Sequence, residues 1–188
     1  MTSPRPLAAI VLAAGKGTRM KSDLHKVLHP IAGRPMLMHL LASLDALKPE
    51  RTVVVVGSGR EQLEKALAGK GVDLVVQDPQ LGTGHAVQQA EAALAGFDGD
   101  VLILYGDVPF VSAATMKRLI QRLGGDDRPA AVVLAFRPAD PAAYGRVIAD
   151  GSGVIAKMVE YKDASPDERA VDLCNSGLMA VRSGDLFA

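Results

Sequence analysis

The sequence predicts an α/β fold: a mostly parallel mixed sheet with helices on both of its faces. Three observations carry this expectation. Short aliphatic runs alternate with segments of helical periodicity along the first two-thirds of the 188 residues. The runs are continuously apolar rather than alternating, as strands buried on both faces are. After residue 136 the pattern changes to hairpin-like segments, a β-rich insertion that could cover a second ligand.

The elements follow in order. "LAAIVLAA" (7–14) reads as the first strand, and "PMLMHLLASLDAL" (35–47) as a helix with Pro35 in its first turn, where the missing N–H costs no hydrogen bond. "TVVVV" (52–56), "VDLVVQ" (72–77), "VLILY" (101–105) and "AAVVLAF" (130–136) are the remaining buried strands. "REQLEKALAG" (60–69), "GHAVQQAEAALAG" (84–96) and "SAATMKRLIQRL" (112–123) lie between them as helices, the last with Ser112 as N-cap. "GRVIADGSGVIAKMVEY" (145–161) predicts two strands around the turn Asp150-Gly151-Ser152-Gly153, and "VDLCNSGLMAVR" (171–182) one more strand. "RSGDLFA" begins a helix at the end of the chain, so residues 1–188 are expected to form a single domain cut short at its C-terminus.

Composition narrows the function classes. Hydrophobic residues make up 48% and charged residues 22%, a globular balance. Lys+Arg and Asp+Glu number 21 each, so no global field draws the chain to nucleic acid or an acidic membrane, and affinity for phosphate must be local. The apolar runs are strand-length, too short to span a bilayer. A lone cysteine, Cys174, forbids an internal disulfide and suits a reducing compartment, so a soluble cytoplasmic protein is expected. Cys174 reads as a buried strand residue rather than a nucleophile. His25, His29, His39 and His85 lack metal-ligand spacing, and His39 is expected to pack or hydrogen-bond.

The stretch "IVLAAGKGTRM" (10–20) joins a strand to a glycine turn, which aims backbone N–H groups where phosphate oxygens can be held. Gly15 and Gly17 are expected because a Cβ would block both the backbone angles and close ligand approach. A dinucleotide fingerprint fails here: the third glycine position is Met20, and "TVVVV" ends in Gly57-Ser58-Gly59 without a carboxylate for a ribose. The Gly-Lys-Ser/Thr of a P-loop is also missing. What remains is a glycine turn with Lys16, Arg19, Lys21 and Lys26 around it, positioned after the first strand, where ligands settle in open α/β sheets.

"LAAGKGTRM" followed by "KVLHPIAGRPML" is similar to the signature of the sugar-nucleotide pyrophosphorylases. "QLGTGHAV" (80–87), "LYGDVP" (104–109), "YGRV" (144–147), "VEYKDA" (159–164) and "NSG" (175–177) narrow the match. In that order they resemble the uridyltransferase domain of the bacterial bifunctional UDP-N-acetylglucosamine pyrophosphorylase / glucosamine-1-phosphate N-acetyltransferase, from about residue 6 onward. The resemblance implies a Rossmann-like nucleotidyltransferase fold with a β-rich sugar-binding insertion. It implies attack by N-acetylglucosamine-1-phosphate on the α-phosphorus of UTP, in service of cell-wall synthesis. The first motif alone is shared by many nucleotidyltransferases. Another sugar-phosphate or molybdenum-cofactor nucleotidyltransferase, and a catalytically silent nucleotide-binding module, are therefore the alternatives.

The same resemblance implies the site. Arg19 and Lys26 match the catalytic cations, Arg19 gripping the triphosphate and Lys26 offsetting charge at the α-phosphate. Leu12, Ala13, Ala14, Gly15 and Gly17 would shape the nucleotide loop. Gln77 would read a uracil edge, and Gly82 and Thr83 would let a second loop approach the base. Gly106, Gly145, Glu160 and Asn175 match sugar-binding positions. Asp107 would bind Mg²⁺, a hard cation suited to bridging phosphate oxygens. In the family an asparagine from a later segment completes the metal site. Asn175 is the only asparagine in the sequence and is matched to the sugar, so the second ligand is expected beyond Ala188. The left-handed β-helix acetyltransferase half, through which the family's full-length members trimerise, has no counterpart here, and the oligomeric state is left open.

Overall fold

The computed structural model describes residues 5–15, 17, 20–57 and 59–188. The chain forms two compact units, Met1–Val132 with Ala180–Ala188, and Val133–Met179. The expected change of pattern after residue 136 thus falls close to a boundary between units.

The elements of the first unit begin with β1 (Leu7–Leu12), the short strands β2 (Pro30–Ile31) and β3 (Arg34–Pro35), and α1 (Met36–Asp45). They continue with β4 (Arg51–Val56), α2 (Arg60–Leu67), β5 (Asp73–Val76), α3 (Thr83–Gln88), β6 (Asp100–Tyr105) and α4 (Ala113–Leu123). β1 is flanked by β4 and β6, both parallel to it, and β5 is the parallel neighbour of β4. Parallel strands buried on both faces need uninterrupted aliphatic runs, and Ala8–Val11 and Val53–Val56 have no exposed surface at all. Leu37, Leu40 and Leu44 of α1 and Met116 and Leu123 of α4 are equally sealed, with α1 packed against α4. Ser112 caps α4 as expected, its Oγ accepting from Thr115 N at 3.1 Å.

The second unit takes most of β7 (Ala131–Phe136), then β8 (Arg146–Ala149), β9 (Ile155–Val159), α5 (Pro166–Ala170) and the first part of β10 (Cys174–Arg182). β8 and β9 form the expected antiparallel hairpin. Its turn is organised by the Asp150 carboxylate, which accepts from Ser152 Oγ at 2.6 Å, Ser152 N at 2.9 Å and Val154 N at 3.0 Å. Those bonds, the Ser152 hydroxyl first, hold the Asp150 carboxyl below its ordinary value. β10 leaves this unit at Ala180 and is followed by α6 (Ser183–Leu186), where Ser183 Oγ accepts from Gly99 N at 3.1 Å in the first unit's own framework.

Three expectations are corrected. The segment 84–96 is not one helix: α3 stops at Gln88, and a separate 3₁₀ turn covers Ala92–Leu94. There the bonding tightens to three-residue steps, Ala90 N to Val87 O at 3.0 Å and Ala95 N to Ala92 O at 3.3 Å. Secondly, the 72–77 and 130–136 strands are not buried on both faces: β5 has a single strand neighbour in the parallel set, with Val76 39% exposed, and no residue of β7 is buried. Thirdly, Pro35 precedes α1 as its cap instead of occupying the first turn, because it still pairs with Pro30 between β3 and β2.

Candidate active site

A cavity of about 520 Å³ opens in the first unit beyond the carboxyl ends of β1, β5 and β6. That is where open parallel sheets place ligands, because the loops leaving adjacent strands diverge there. Leu12, Ala13, Ala14, Gly15 and Gly17 line one wall, and Gln77, Gly82 and Thr83 another. Lys26 and Asp107 close the space between them. Ten residues read from the sequence as site residues thus meet around one cavity. Arg19, with Lys16, Thr18 and Ser58, lies outside the described residues.

Lys26 begins a 3₁₀ turn, Lys26–Leu28, whose Val27 and Leu28 are buried. A Cβ on Gly106 would come within 3.2 Å of Val27 Cγ1, so this glycine lets the turn seat against the end of β6. From there Lys26 Nζ donates to Asp107 Oδ2 at 2.6 Å, both side chains about one-third exposed to the cavity (38% and 31%). Gly17 has φ +58°, and a Cβ there would stand 2.6 Å from Lys26 Cβ. The glycine is therefore required twice, by its backbone angle and by the lysine stem beside it. Gly15 differs from expectation: its φ is not positive, and a Cβ would meet nothing within 4 Å. Of the two reasons expected for it, only close ligand approach survives.

The far wall is held by side-chain amides. Gln77, 4% exposed, donates from Nε2 to Gly82 O at 2.8 Å and lies 3.2 Å from His85 Nδ1. Gly82, at φ +106°, turns the chain into α3, which Thr83 begins. Gln80 Nε2 donates to Ala14 O and so ties this wall to the first loop.

Among the described residues, Asp107 is the one carboxylate lining the cavity. Among the described residues no three His, Cys, Asp or Glu side chains gather as a metal cage. A single carboxylate at the edge of the cavity fits Mg²⁺, which keeps several waters and is completed by substrate phosphates, and does not fit a closed structural site. Gly106 donates its N–H to Leu12 O at 2.9 Å, so of its backbone only the carbonyl is left for a sugar.

In the second unit, Gly145, Glu160 and Asn175 come together. Asn175 N donates to Gly145 O at 2.9 Å, and a Cβ on Gly145 would lie 3.6 Å from both Glu160 carboxylate oxygens. Asn175 Oδ1 accepts from Gly177 N at 2.8 Å, so its NH₂ is the end of the amide left to donate to a ligand. Arg146, 2% exposed, spends its guanidinium on the carbonyls of Pro141, Ala142, Tyr144 and Arg169. Together with Arg169 it stacks on the Tyr161 ring, at 5.4 and 4.7 Å from the centroid, which fixes the turn that carries Glu160.

Sequence reasoning missed several contributors. Met20, Val27, Gln80, Ala86 and Tyr105 also line the first unit's cavity. Gln80 and Tyr105 stand inside quoted motifs but carried no chemical signal of their own. Gln62 of α2 accepts from His25 N at 2.8 Å and donates to Asp23 O at 2.8 Å, pinning the loop that presents Lys26. No motif marks it. His39 bonds as expected, Nε2 to Ile31 O at 2.8 Å.

The MobA-like NTP transferase domain matches residues 9–161. Bifunctional protein GlmU from Sphingopyxis alaskensis is 73% identical over 183 residues, 97% of this chain and 40% of that protein. GlmU from Novosphingobium aromaticivorans is 75% identical over 182 residues, with the same two shares. The chain thus spans about two-fifths of the length of these relatives. Among solved structures, HddC from Yersinia pseudotuberculosis complexed with GMP-PN superposes with a TM-score of 0.74 at 21% identity, over 96% of this chain and 78% of that one. The 4-diphosphocytidyl-2C-methyl-D-erythritol synthase of Anaerococcus prevotii gives 0.67 at 18%, over 97% and 74%. At such identities the two structures speak for the fold alone.

Proposed function

We propose that this chain, which belongs to the MobA-like NTP transferase domain family, transfers uridylyl from UTP to N-acetylglucosamine-1-phosphate, giving UDP-N-acetylglucosamine and pyrophosphate. The observation that carries the proposal is the meeting of Lys26 and Asp107, 2.6 Å apart, in a cavity walled by the glycine loop. The ordered motifs and the likeness to bifunctional GlmU proteins favour this acceptor over another sugar phosphate or a molybdenum cofactor.

A phosphate oxygen of the sugar phosphate bonds to the α-phosphorus, and the bond from that phosphorus to the β-bridging oxygen breaks in line. Both reactants are anions, so the protein's work is to align them and offset their charge. Lys26 offsets charge at the α-phosphate, and Arg19 grips the triphosphate and the departing pyrophosphate. Asp107 is the residue that would hold Mg²⁺, which neutralises phosphate oxygens when bound. Gln77 reads the base. Gly145 and Asn175 supply N–H donors to the sugar, and Glu160 accepts from one of its hydroxyls. Among the described residues no helix is long and apolar enough to cross a membrane, and the cytoplasm is the proposed compartment.

Pyrophosphate release tests the reading. With UTP and N-acetylglucosamine-1-phosphate, a protein that carries this chain and continues past Ala188 is expected to release it only when Mg²⁺ is present. Equal rates with CTP or GTP, or release only with a different acceptor, overturn the assignment. UTP binding without turnover that persists in a protein continuing past Ala188 favours a silent nucleotide-binding module.

A further inference from the structure

We infer that His85 is a positioning residue: its Nδ1, together with the Gly82 carbonyl, holds the Gln77 amide so that Oε1 alone faces the base and accepts its imide N–H. The inference rests on the uridylyl reading for the identity of the base, and on hydrogen-bond counting for the orientation.

Gln77 has two amide hydrogens. One goes to Gly82 O, 2.8 Å from Nε2, and the other points to His85 Nδ1 at 3.2 Å. Both donors are then committed to the protein, and Oε1 is what this buried side chain has left for a ligand. Reversing the amide would set Oε1 against the Gly82 carbonyl at 2.8 Å, two acceptors facing each other where Gln77 is only 4% exposed. The Gly82 carbonyl thus opposes reversal, and the second acceptor, His85 Nδ1, adds to that bias.

His85 has its own constraint. A neutral imidazole carries one N–H and one lone pair. Gln89 Nε2 also approaches the ring, 3.1 Å from His85 Nε2 and 3.1 Å from His85 O. The ring cannot accept from both glutamines, so one amide must present its oxygen. Reversal costs Gln77 more than Gln89, which is less buried and sits farther from its carbonyl. The lone pair therefore belongs to Nδ1 and the hydrogen to Nε2, and Gln89 turns Oε1 towards that hydrogen. Amide orientation and tautomer follow here from the network as a whole.

The chemical consequence is a choice of base. Uracil carries a donor at N3 where cytosine carries a lone pair. A fixed carbonyl oxygen opposite N3 accepts from the first and repels the second. Were the amide free to rotate, its NH₂ would serve cytosine equally well.

Two measurements on the intact chain test this. Nitrogen shifts of the His85 ring, without nucleotide, should report a protonated Nε2 and a bare Nδ1; the opposite tautomer overturns the inference whatever the chain binds. Titration calorimetry with UTP, CTP and N3-methyl-UTP should show UTP bound at least about tenfold more tightly than either analogue, the loss of roughly one hydrogen bond. His85→Leu should lower the UTP:CTP ratio at least about threefold, chiefly by strengthening CTP, because the Gly82 carbonyl alone then opposes reversal of the amide. His85→Asn, whose Oδ1 can replace the Nδ1 acceptor, should restore most of it. A ratio unchanged in a folded His85→Leu protein, or lost equally in His85→Asn, contradicts the positioning role. Failure of the uridylyl reading looks different: the wild type binds none of the three, and the assignment of a base to Gln77 Oε1 falls with it.

Discussion

Lys26 Nζ and Asp107 Oδ2 stand 2.6 Å apart, one carried by the turn after the glycine loop and the other by the turn after β6. The pair joins the two elements whose charges the proposed chemistry requires, a cation for the α-phosphate and a carboxylate for Mg²⁺. With both groups about one-third exposed, the ion pair contributes little to folding, on the order of 1 kcal/mol or less. Its value lies in where it holds the two side chains.

Lys26→Ala should therefore separate activity from stability. Turnover is expected to fall on the order of 100-fold or more, as when one preorganised charge-stabilising donor is removed. The urea midpoint should stay close to that of the parent. A variant that unfolds more easily by several kcal/mol, with turnover per folded molecule unchanged, assigns Lys26 to the framework.

Gly17→Ala attacks the same residue from behind. At φ +58° an alanine is strained by about 1–2 kcal/mol, and its Cβ would overlap the Lys26 stem. Modest destabilisation with a disproportionate loss of turnover is expected, whereas Gly15→Ala should fold normally, since its Cβ meets nothing. Paired denaturation and pyrophosphate-release assays read both effects. Equal losses of stability in the two variants would remove the special role given to Gly17.

His25 sets a pH limit on the loop that presents Lys26. Its ring is 8% exposed, neither nitrogen has a partner among the described residues, and burial pushes its pKa below the ordinary value. The unfolded chain then binds the proton that the folded one refuses, so stability falls as pH drops below about 6.5 and is regained above it. Urea midpoints at pH 5.5 and 7.5 should differ in that sense, and His25→Phe should flatten the difference. The reverse slope would mean that the ring finds an acceptor when charged.

Asn175 has its NH₂ left to donate because its oxygen is held by Gly177 N. Asn175→Ala should raise the KM for N-acetylglucosamine-1-phosphate roughly tenfold, about one hydrogen bond's worth, with UTP affinity preserved. Steady-state kinetics with each substrate varied in turn distinguishes this from a general loss. Equal weakening of both substrates would remove Asn175 from sugar recognition.

How much of this was legible in the sequence depends on the kind of signal each element carries. β1, β4 and β6 announce themselves because strands sealed on both faces tolerate only aliphatic residues. β5 looks the same in sequence yet leaves Val76 39% exposed, since apolar runs do not reveal which strand ends at an edge. The break after α3 was hidden by a helical pattern that continues through alanines and leucines into a 3₁₀ turn. At the site, charged and glycine residues in motifs were readable, whereas Gln62 was not. Its contribution is a pair of backbone hydrogen bonds across 37 and 39 residues of chain, and nothing local marks such a contact. The orientation of Gln77 likewise lives in its neighbours. The sequence offers the amide, and only Gly82 and His85 decide which end of it a ligand meets.

The central claim is that the α-phosphorus of UTP is the one transferred. The direct measurement follows the label when the chain is supplied with N-acetylglucosamine-1-phosphate, Mg²⁺ and UTP carrying ³²P at either the α or the γ position. The account predicts that α-label enters the sugar nucleotide and γ-label leaves as pyrophosphate. Label from the γ position in the sugar product, or α-label released as free UMP, would contradict it.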